Sequence, residues 1–364
     1  MRLLRWTGLA LLLAVALLFA VGRPVAWTEA ALIIWDIAAG GPPTLWQKLT
    51  DRPDEYPARW ADGEGDVYAP NRVRAAMVLV PGAAVLGRDE PRLQALARSF
   101  ARAGFVVLVP ELPEVRRLAL SRLDAERVAS GLRQLRQWQP GQPIGIAAVS
   151  YAVAPAIIAA LQDDPAFIVG IGGYHDLEAA IRFATTGAFR PLGDAREFRV
   201  APSGYGRWAI LLANAGRLDD PADAQALQAI ALARFRNPGA DVGPLAARLG
   251  PDGKAVLALV ENRDPDAVTR LIGALPERVR REIDGLNLAL YDLSKLRGHL
   301  ILVHGRGDPL VPYSESQALA VAASKARVSL FLVDELGHVD FNAVTAANAW
   351  TMWRAVDELL AERR

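Results

Sequence analysis

The sequence predicts an α/β protein, a mostly parallel sheet flanked by helices and interrupted by one long helical insertion. Three observations predict it. Six short runs rich in Val, Ile and Leu, at about 74–80, 105–110, 143–149, 167–172, 299–304 and 327–333, are predominantly apolar. That is the pattern of strands covered on both faces, where no side is left for polar residues. Between them lie helical stripes: Leu93, Leu96, Ala97 and Phe100 repeat at i, i+3, i+4 and i+7, and Val128, Leu132 and Leu135 share one face. From Ile181 to Leu290 this alternation stops, and Ala-, Leu- and Arg-rich helical stretches such as 222–235 and 277–290 replace it.

At the amino terminus Arg2 and Arg5 precede an uncharged apolar run, 7–22. Residues 1–24 therefore read as a signal peptide or, preferably, a short uncleaved anchor, near the ~17-residue minimum for a membrane helix. Either way the bulk of the chain is expected outside the cytoplasm. In 25–38, Trp27, Ile33, Ile34 and Trp35 suit a helix lying in a membrane interface, or equally one packed on the protein body. Residues 40–61 are rich in Pro, Gly and charge and read as a linker, so that 25–61 forms a connecting region. The body then runs from 62 to 364: a hairpin within 63–82 leads into the third strand, and a last helix at about 341–362 carries Val344, Trp350, Trp353 and Leu360.

A chain of 364 residues can bury one large core and still carry an insertion. Its 41 basic and 40 acidic residues nearly cancel, so no surface suited to nucleic acid is expected. The absence of cysteine excludes disulfides, a thiolate nucleophile and thiolate metal ligands. No H-E-x-x-H pattern and no phosphate-binding glycine loop occurs, GIGGY (170–174) being too short, so neither metal nor cofactor is expected.

The segment 143–159 is an apolar strand, one serine, then a helix of small residues, and its turn reads Ala148-Val149-Ser150-Tyr151-Ala152. This is a variant of G-x-S-x-G, in which small neighbours allow a strained serine to stand above a sheet. Downstream, 299–312 is a buried strand ending in a loop with Asp308, and 327–341 is a strand followed by His338. A serine hydroxyl needs a neutral imidazole to take its proton, and the imidazole needs a carboxylate to fix its tautomer. Asp176, after the strand at 167–172, is the alternative acid. Of the other histidines, His304 reads as a structural residue of the acid-bearing strand and His299 as a solvent-edge residue, while His175 precedes Asp176.

With Ser150, Asp308 and His338 in nucleophile–acid–base order, the chain resembles the serine α/β-hydrolases, in a layout similar to dienelactone-hydrolase-like and acyl-peptidase-like members. The resemblance covers roughly 60–364 outside the insertion. It implies an oxyanion hole from the main-chain N–H of Tyr151 and, in the loop after the third strand, of Ala83, where Pro81-Gly82 stands in place of the usual His-Gly. It also implies that the insertion at about 181–290 is a cap over Ser150. The expected substrate is a small-molecule acyl ester. A peptidase or acyltransferase on the same triad, or an inactive membrane-attached scaffold, are the alternatives.

Overall fold

Ala75, Met77 and Leu79 face one side of the third strand and Ala76, Val78 and Val80 the other, and all six are fully buried. One strand thus feeds two hydrophobic cores, which requires a sheet held between two layers of helices. The computed structural model describes residues 23–39, 43–119, 121–334, 337 and 346–364. They begin with helices α1 (Pro24–Ala39) and α2 (Leu45–Leu49), followed by the strands β1 (Asp54–Trp60) and β2 (Gly63–Ala69). Strands and helices then alternate through β3 (Ala75–Val80), α3 (Pro91–Arg102), β4 (Phe105–Pro110), the short α4 (Pro113–Arg116), α5 (Leu123–Trp138), β5 (Ile144–Val149), α6 (Val153–Asp163) and β6 (Phe167–Ile171).

The insertion starts with α7 (Leu177–Thr186). A two-residue ribbon of β7 (Ala188–Phe189) and β8 (Phe198–Arg199) follows, and then helices α8 (Gly204–Asn214), α9 (Pro221–Arg236), α10 (Gly243–Ala246), α11 (Pro251–Glu261), α12 (Val268–Gly273) and α13 (Glu277–Leu286). Trp208, Leu227, Ile230 and Leu249 give it a small core of its own. β9 (His299–Gly305), α14 (Ser314–Ala322), β10 (Val328–Val333) and α15 (Ala346–Leu360) return the chain to the sheet.

The main sheet runs β1-β2-β4-β3-β5-β6-β9-β10. β2 is antiparallel to both β1 and β4, and the pairs from β4 through β10 are parallel. Helices α5, α6 and α14 cover one face; α1, α3 and α15 cover the other. This strand order, with its antiparallel second strand, its two helical layers and its helical cap, is the α/β-hydrolase fold. The six expected strands all lie within two residues of their expected limits.

Two expectations are corrected, and one open alternative is decided. Within the expected linker, 40–61, the described residues from 43 on are structured: α2 falls there and β1 pairs in register with β2 from Asp54↔Ala69 to Trp60↔Gly63, so the sheet begins at Asp54 rather than after 62. β1 is an edge strand with mostly exposed side chains, which is why it lacks an apolar pattern. The helix α1 packs on the body, with Ala30 and Ile33 fully buried and Trp27 against Trp353 at 5.9 Å between ring centres. His299 is buried, not at a solvent edge, its ring nitrogens 2.7 Å from Glu362 Oε1 and 3.0 Å from Ser329 Oγ. Among the described residues no helix is long and apolar enough to cross a membrane; the run 7–22 lies outside them.

The α1–α15 contact is fastened by charge. Arg363 donates to Glu29 Oε2 and to the Ala103 carbonyl (2.5 Å), and its side chain is almost wholly buried. Burial pulls its pKa down, Glu29 opposing. Glu29→Ala leaves that guanidinium buried without its counter-charge, and the expected cost is about 3 kcal/mol in urea unfolding. Replacing both partners, Glu29→Leu with Arg363→Met, is expected to recover most of the loss, because no unpaired charge then remains buried.

Candidate active site

Ser150 follows the last residue of β5 and opens a short 3-10 turn, Ser150–Ala152, that runs directly into α6. Its φ is +56°, the left-handed region that an L-residue enters only under constraint. The serine is therefore lifted off the strand path at the carboxyl edge of the sheet. Ala148 and Ala152 beside it are buried, and the room that glycine would have left is supplied by neighbours. Gly170 lies level with Ala148 on β6. At Gly173 a Cβ would come within 2.4 Å of Val153 Cβ in the first turn of α6. Sequence reasoning set GIGGY aside as no phosphate loop; its glycines serve here to let α6 lie close to β6.

On the other side, a Cβ on Gly82 would stand 3.1 Å from the Val149 carbonyl oxygen and 3.5 Å from Ser150 Cβ. The loop after β3 therefore passes directly beside the serine, with Ala83 exposed as its next residue.

Tyr151 is buried, and its phenol oxygen accepts from the Ser121 N–H at 2.7 Å. Two acceptors stand 3.0 Å away for its one hydrogen, the Ser121 carbonyl and Asp124 Oδ2. Burial raises the Asp124 carboxyl to about 6, against the phenol hydrogen bond and Arg127. Burial, with the Asp124 charge beside it, raises the phenol far above its ordinary range. Ser121 and Asp124 carry no local signal in the sequence; only the tertiary contact reveals them.

Register locates Asp308 relative to Ser150. Val149, Ile171 and Val303 lie level on β5, β6 and β9, so β9 is two strand spacings, roughly 10 Å, from β5. Asp308 is buried in the loop just beyond β9, where its Oδ1 accepts from the N–H groups of Leu310 (2.8 Å) and Val311 (3.0 Å). His304 is fully buried beneath this loop. Its Nε2 lies 3.0 Å from the Val311 carbonyl, which can only accept, so Nε2 carries the proton and Nδ1 accepts from Ser316 Oγ at 2.7 Å. Its structural reading thus fits the contacts. His338 lies outside the described residues; β10, which precedes it in the chain, pairs Val333 with Gly305 of β9.

Asp176 sits at the corresponding edge of β6 but caps α7: its Oδ1 accepts from the Glu178 N–H at 2.9 Å and from Asn287 Nδ2 at 3.0 Å. Glu315 at the start of α14 accepts from the N–H groups of His175 (3.1 Å) and Asp176 (2.7 Å). Burial raises Glu315 to about 7, outweighing those two donors, and lowers the pKa of His175.

The insertion is fastened to the loops of this same edge. The side chain of Asn214 donates to the Leu118 carbonyl, Arg122 N–H donates to Glu282, Ala289 N–H donates to His175 O, and Gly206 packs on Leu310. It is thus a roof over the carboxyl ends of β4, β6 and β9. Among the described residues no cluster of three or more His, Cys, Asp or Glu could hold a metal ion. A surface cleft of about 450 Å³, lined by Gln142, Ile144, Ala166 and Arg364, opens at the opposite end of the strands and does not touch Ser150.

Two outcomes follow from these contacts. Tyr151→Phe leaves the Ser121 amide and the Asp124 carboxyl without their buried partner, and thermal unfolding is expected to register a loss of about 2 kcal/mol. Glu315 and Asp124 have folded pKa values of about 7 and about 6, above the ordinary 4.5 and 3.8, so the fold favours their protonated forms. Their contribution is complete below about pH 4 and is lost as pH rises through those folded values. Urea titrations between about pH 5 and 8 are expected to show stability falling with pH. Glu315→Gln, which keeps an oxygen for both N–H groups, removes its share, on the order of 3 kcal/mol at full titration.

No protein-family model matches the chain, and no curated protein matches it. Similar solved structures include the acylaminoacyl peptidase of Pyrococcus horikoshii (13% identity, 85% of this chain and 41% of that one, TM-score 0.47). A puromycin-hydrolysing peptidase of Mycobacterium tuberculosis gives 16% identity over 85% of this chain and 38% of that one, with a TM-score of 0.49. The dienelactone hydrolase of Anabaena variabilis gives 12%, 86%, 100% and 0.46 for the same quantities. The chain thus spans about two-fifths of the length of the two peptidases. It is the strand order and the left-handed serine, rather than these similarities, that make this an α/β-hydrolase fold.

Proposed function

We propose that the protein is a serine hydrolase that cleaves carboxylic esters through an acyl-enzyme. The observation that carries this reading is the positive φ of Ser150 at the tip of β5, a strained conformation of the kind that clusters at active sites. Ser150 Oγ attacks the ester carbonyl carbon while His338 takes the hydroxyl proton. Asp308 orients the imidazole and stabilises its cation, and the N–H groups of Tyr151 and Ala83 hold the oxyanion. Collapse of the intermediate breaks the bond to the alcohol, which leaves with the proton returned by His338. Water, activated by the same imidazole, then releases the acid and regenerates the serine.

Asp308 is preferred over Asp176 as the acid on chemical grounds. Both carboxylates accept main-chain N–H groups, but Asp176 is also held by Asn287, whereas Asp308 is buried just beyond β9, beside β10, the strand that precedes His338 in the chain. The close passage of Gly82 supports Ala83 as the second donor, since a Cβ at Gly82 would already crowd the Val149 carbonyl oxygen at 3.1 Å.

The test uses nitrophenyl esters of graded chain length and a fluorophosphonate probe. Labelling is expected in the native chain and none in Ser150→Ala, whose kcat should fall on the order of 10⁵–10⁶-fold. Asp308→Asn is expected to lose roughly 10⁴-fold and Asp176→Asn far less. An unlabelled native protein would support the scaffold reading instead, and the reverse ranking of the two aspartates would move the acid to Asp176.

A further inference from the structure

We propose that the outward face of α1, with Trp350 beside it, rests on a lipid bilayer surface. The argument begins with a charge distribution opposite to that of an ordinary surface helix. α1 contains two acidic residues, and both are bound to the protein: Glu29 pairs with Arg363 and lies 3.9 Å from Arg74, while Asp36 accepts from Thr44 Oγ1 at 2.5 Å and Gln47 Nε2 at 2.8 Å. What faces outward is Val25, Thr28, Ala31, Trp35 and Ala39, spaced by three or four residues as one continuous stripe. None is charged. Thr28 turns its hydroxyl back to the Pro24 carbonyl at 2.9 Å, so its polarity too is used within the helix.

The exposure is large. Val25, Trp35 and Trp350 are 70%, 68% and 62% exposed. Trp350 is stacked on Trp353 at 4.7 Å, and Trp353 in turn meets Trp27, so the aromatic surface of α15 continues that of α1. A water-facing helix normally carries charge on this side, and an exposed apolar face of this kind marks an interaction site.

The choice of occupant follows from where the stripe begins. The apolar run 7–22 ends two residues before Pro24, and Arg23, the first charge after it, is paired with Asp357 at 2.6 Å. If that run enters a bilayer, α1 must leave from the same surface. Its sixteen residues, roughly 24 Å long, can then lie along the headgroups with the indoles at the depth they prefer. This differs from the face expected from sequence, since Ile33 is buried and Trp27 is turned towards α15. The inference is independent of the hydrolase reading.

The absence of cysteine makes the test direct. The full chain carrying Trp35→Cys, Trp350→Cys or, as a control, Gln137→Cys is labelled with an environment-sensitive fluorophore. Gln137 is exposed on α5, in the helical layer on the opposite face of the sheet. Each protein is reconstituted into vesicles of equal parts phosphatidylcholine and phosphatidylglycerol, with and without a lipid bearing a headgroup nitroxide. The expected result is quenching several-fold stronger at 35 and 350 than at 137. Ala31→Cys, on the same stripe, must follow them, which guards against a tryptophan replacement that disturbs packing. Equal quenching at all positions overturns the proposal. So does shielding of 35 and 350 from both lipid and aqueous quenchers, which would mean that a second copy covers the face. Ester hydrolysis measured on the same vesicles tests the hydrolase reading separately.

Discussion

A serine held at φ +56° is a local expense of order 1–3 kcal/mol, and it persists only where its surroundings leave it no relaxed alternative. Those surroundings can be followed outward. Behind the serine, β5 is fixed on both sides by β3 and β6. Ahead of it, the first turn of α6 is pressed against Gly170 and Gly173, where side chains could not fit without displacing Val153. Beside it passes Gly82. The next residue, Tyr151, is tied through its phenol to Ser121 and Asp124 at the head of α5. The strained turn is thus held at both ends and on both flanks, and the same contacts bring the chemistry-bearing loops to one edge.

That edge has a second problem, common to parallel sheets: every strand hands over to a loop whose backbone donors are sheltered from water beneath a roof. Buried N–H groups must find acceptors. Here carboxylates supply several of them. Asp308 takes two donors of its own loop, Glu315 takes two from the loop after β6, and Asp176 takes the first turn of α7 together with the side chain of Asn287, where the insertion comes back. Glu315, at the start of α14, thereby ties the loop after β6 to the segment that follows β9.

The interior strands were legible because burial on both faces leaves a continuous apolar signature, and the serine because a lone hydroxyl in an apolar strand-to-helix turn has few structural uses. β1 was not legible: an edge strand with exposed side chains has the composition of a linker, and only pairing with β2 makes it a strand. Which side of α1 is buried was left open for a related reason. Trp27 and Ile33 are as apolar as Trp35, and it takes the elements packed on α1, among them α15 more than three hundred residues away in sequence, to decide which of them turn inward. Asp124, Glu315 and His299 show the same limit for polar residues. Nothing nearby in the chain marks them as buried, because their partners come from other elements.

The pairing of α1 with α15 also bears on the order in which the molecule can be completed. Arg23 and Asp357 are 334 residues apart, and Glu29 and Arg363 are separated by the same distance. At ribosomal rates of roughly 5–20 residues per second, α1 emerges about 20–70 s before its partner exists. During that interval Met77, Leu79 and Phe105 lack part of their covering layer. Until α15 is made, the flank of the sheet that it shares with α1 stays partly open, and the inner side of α1 lacks the shelter it has in the finished molecule.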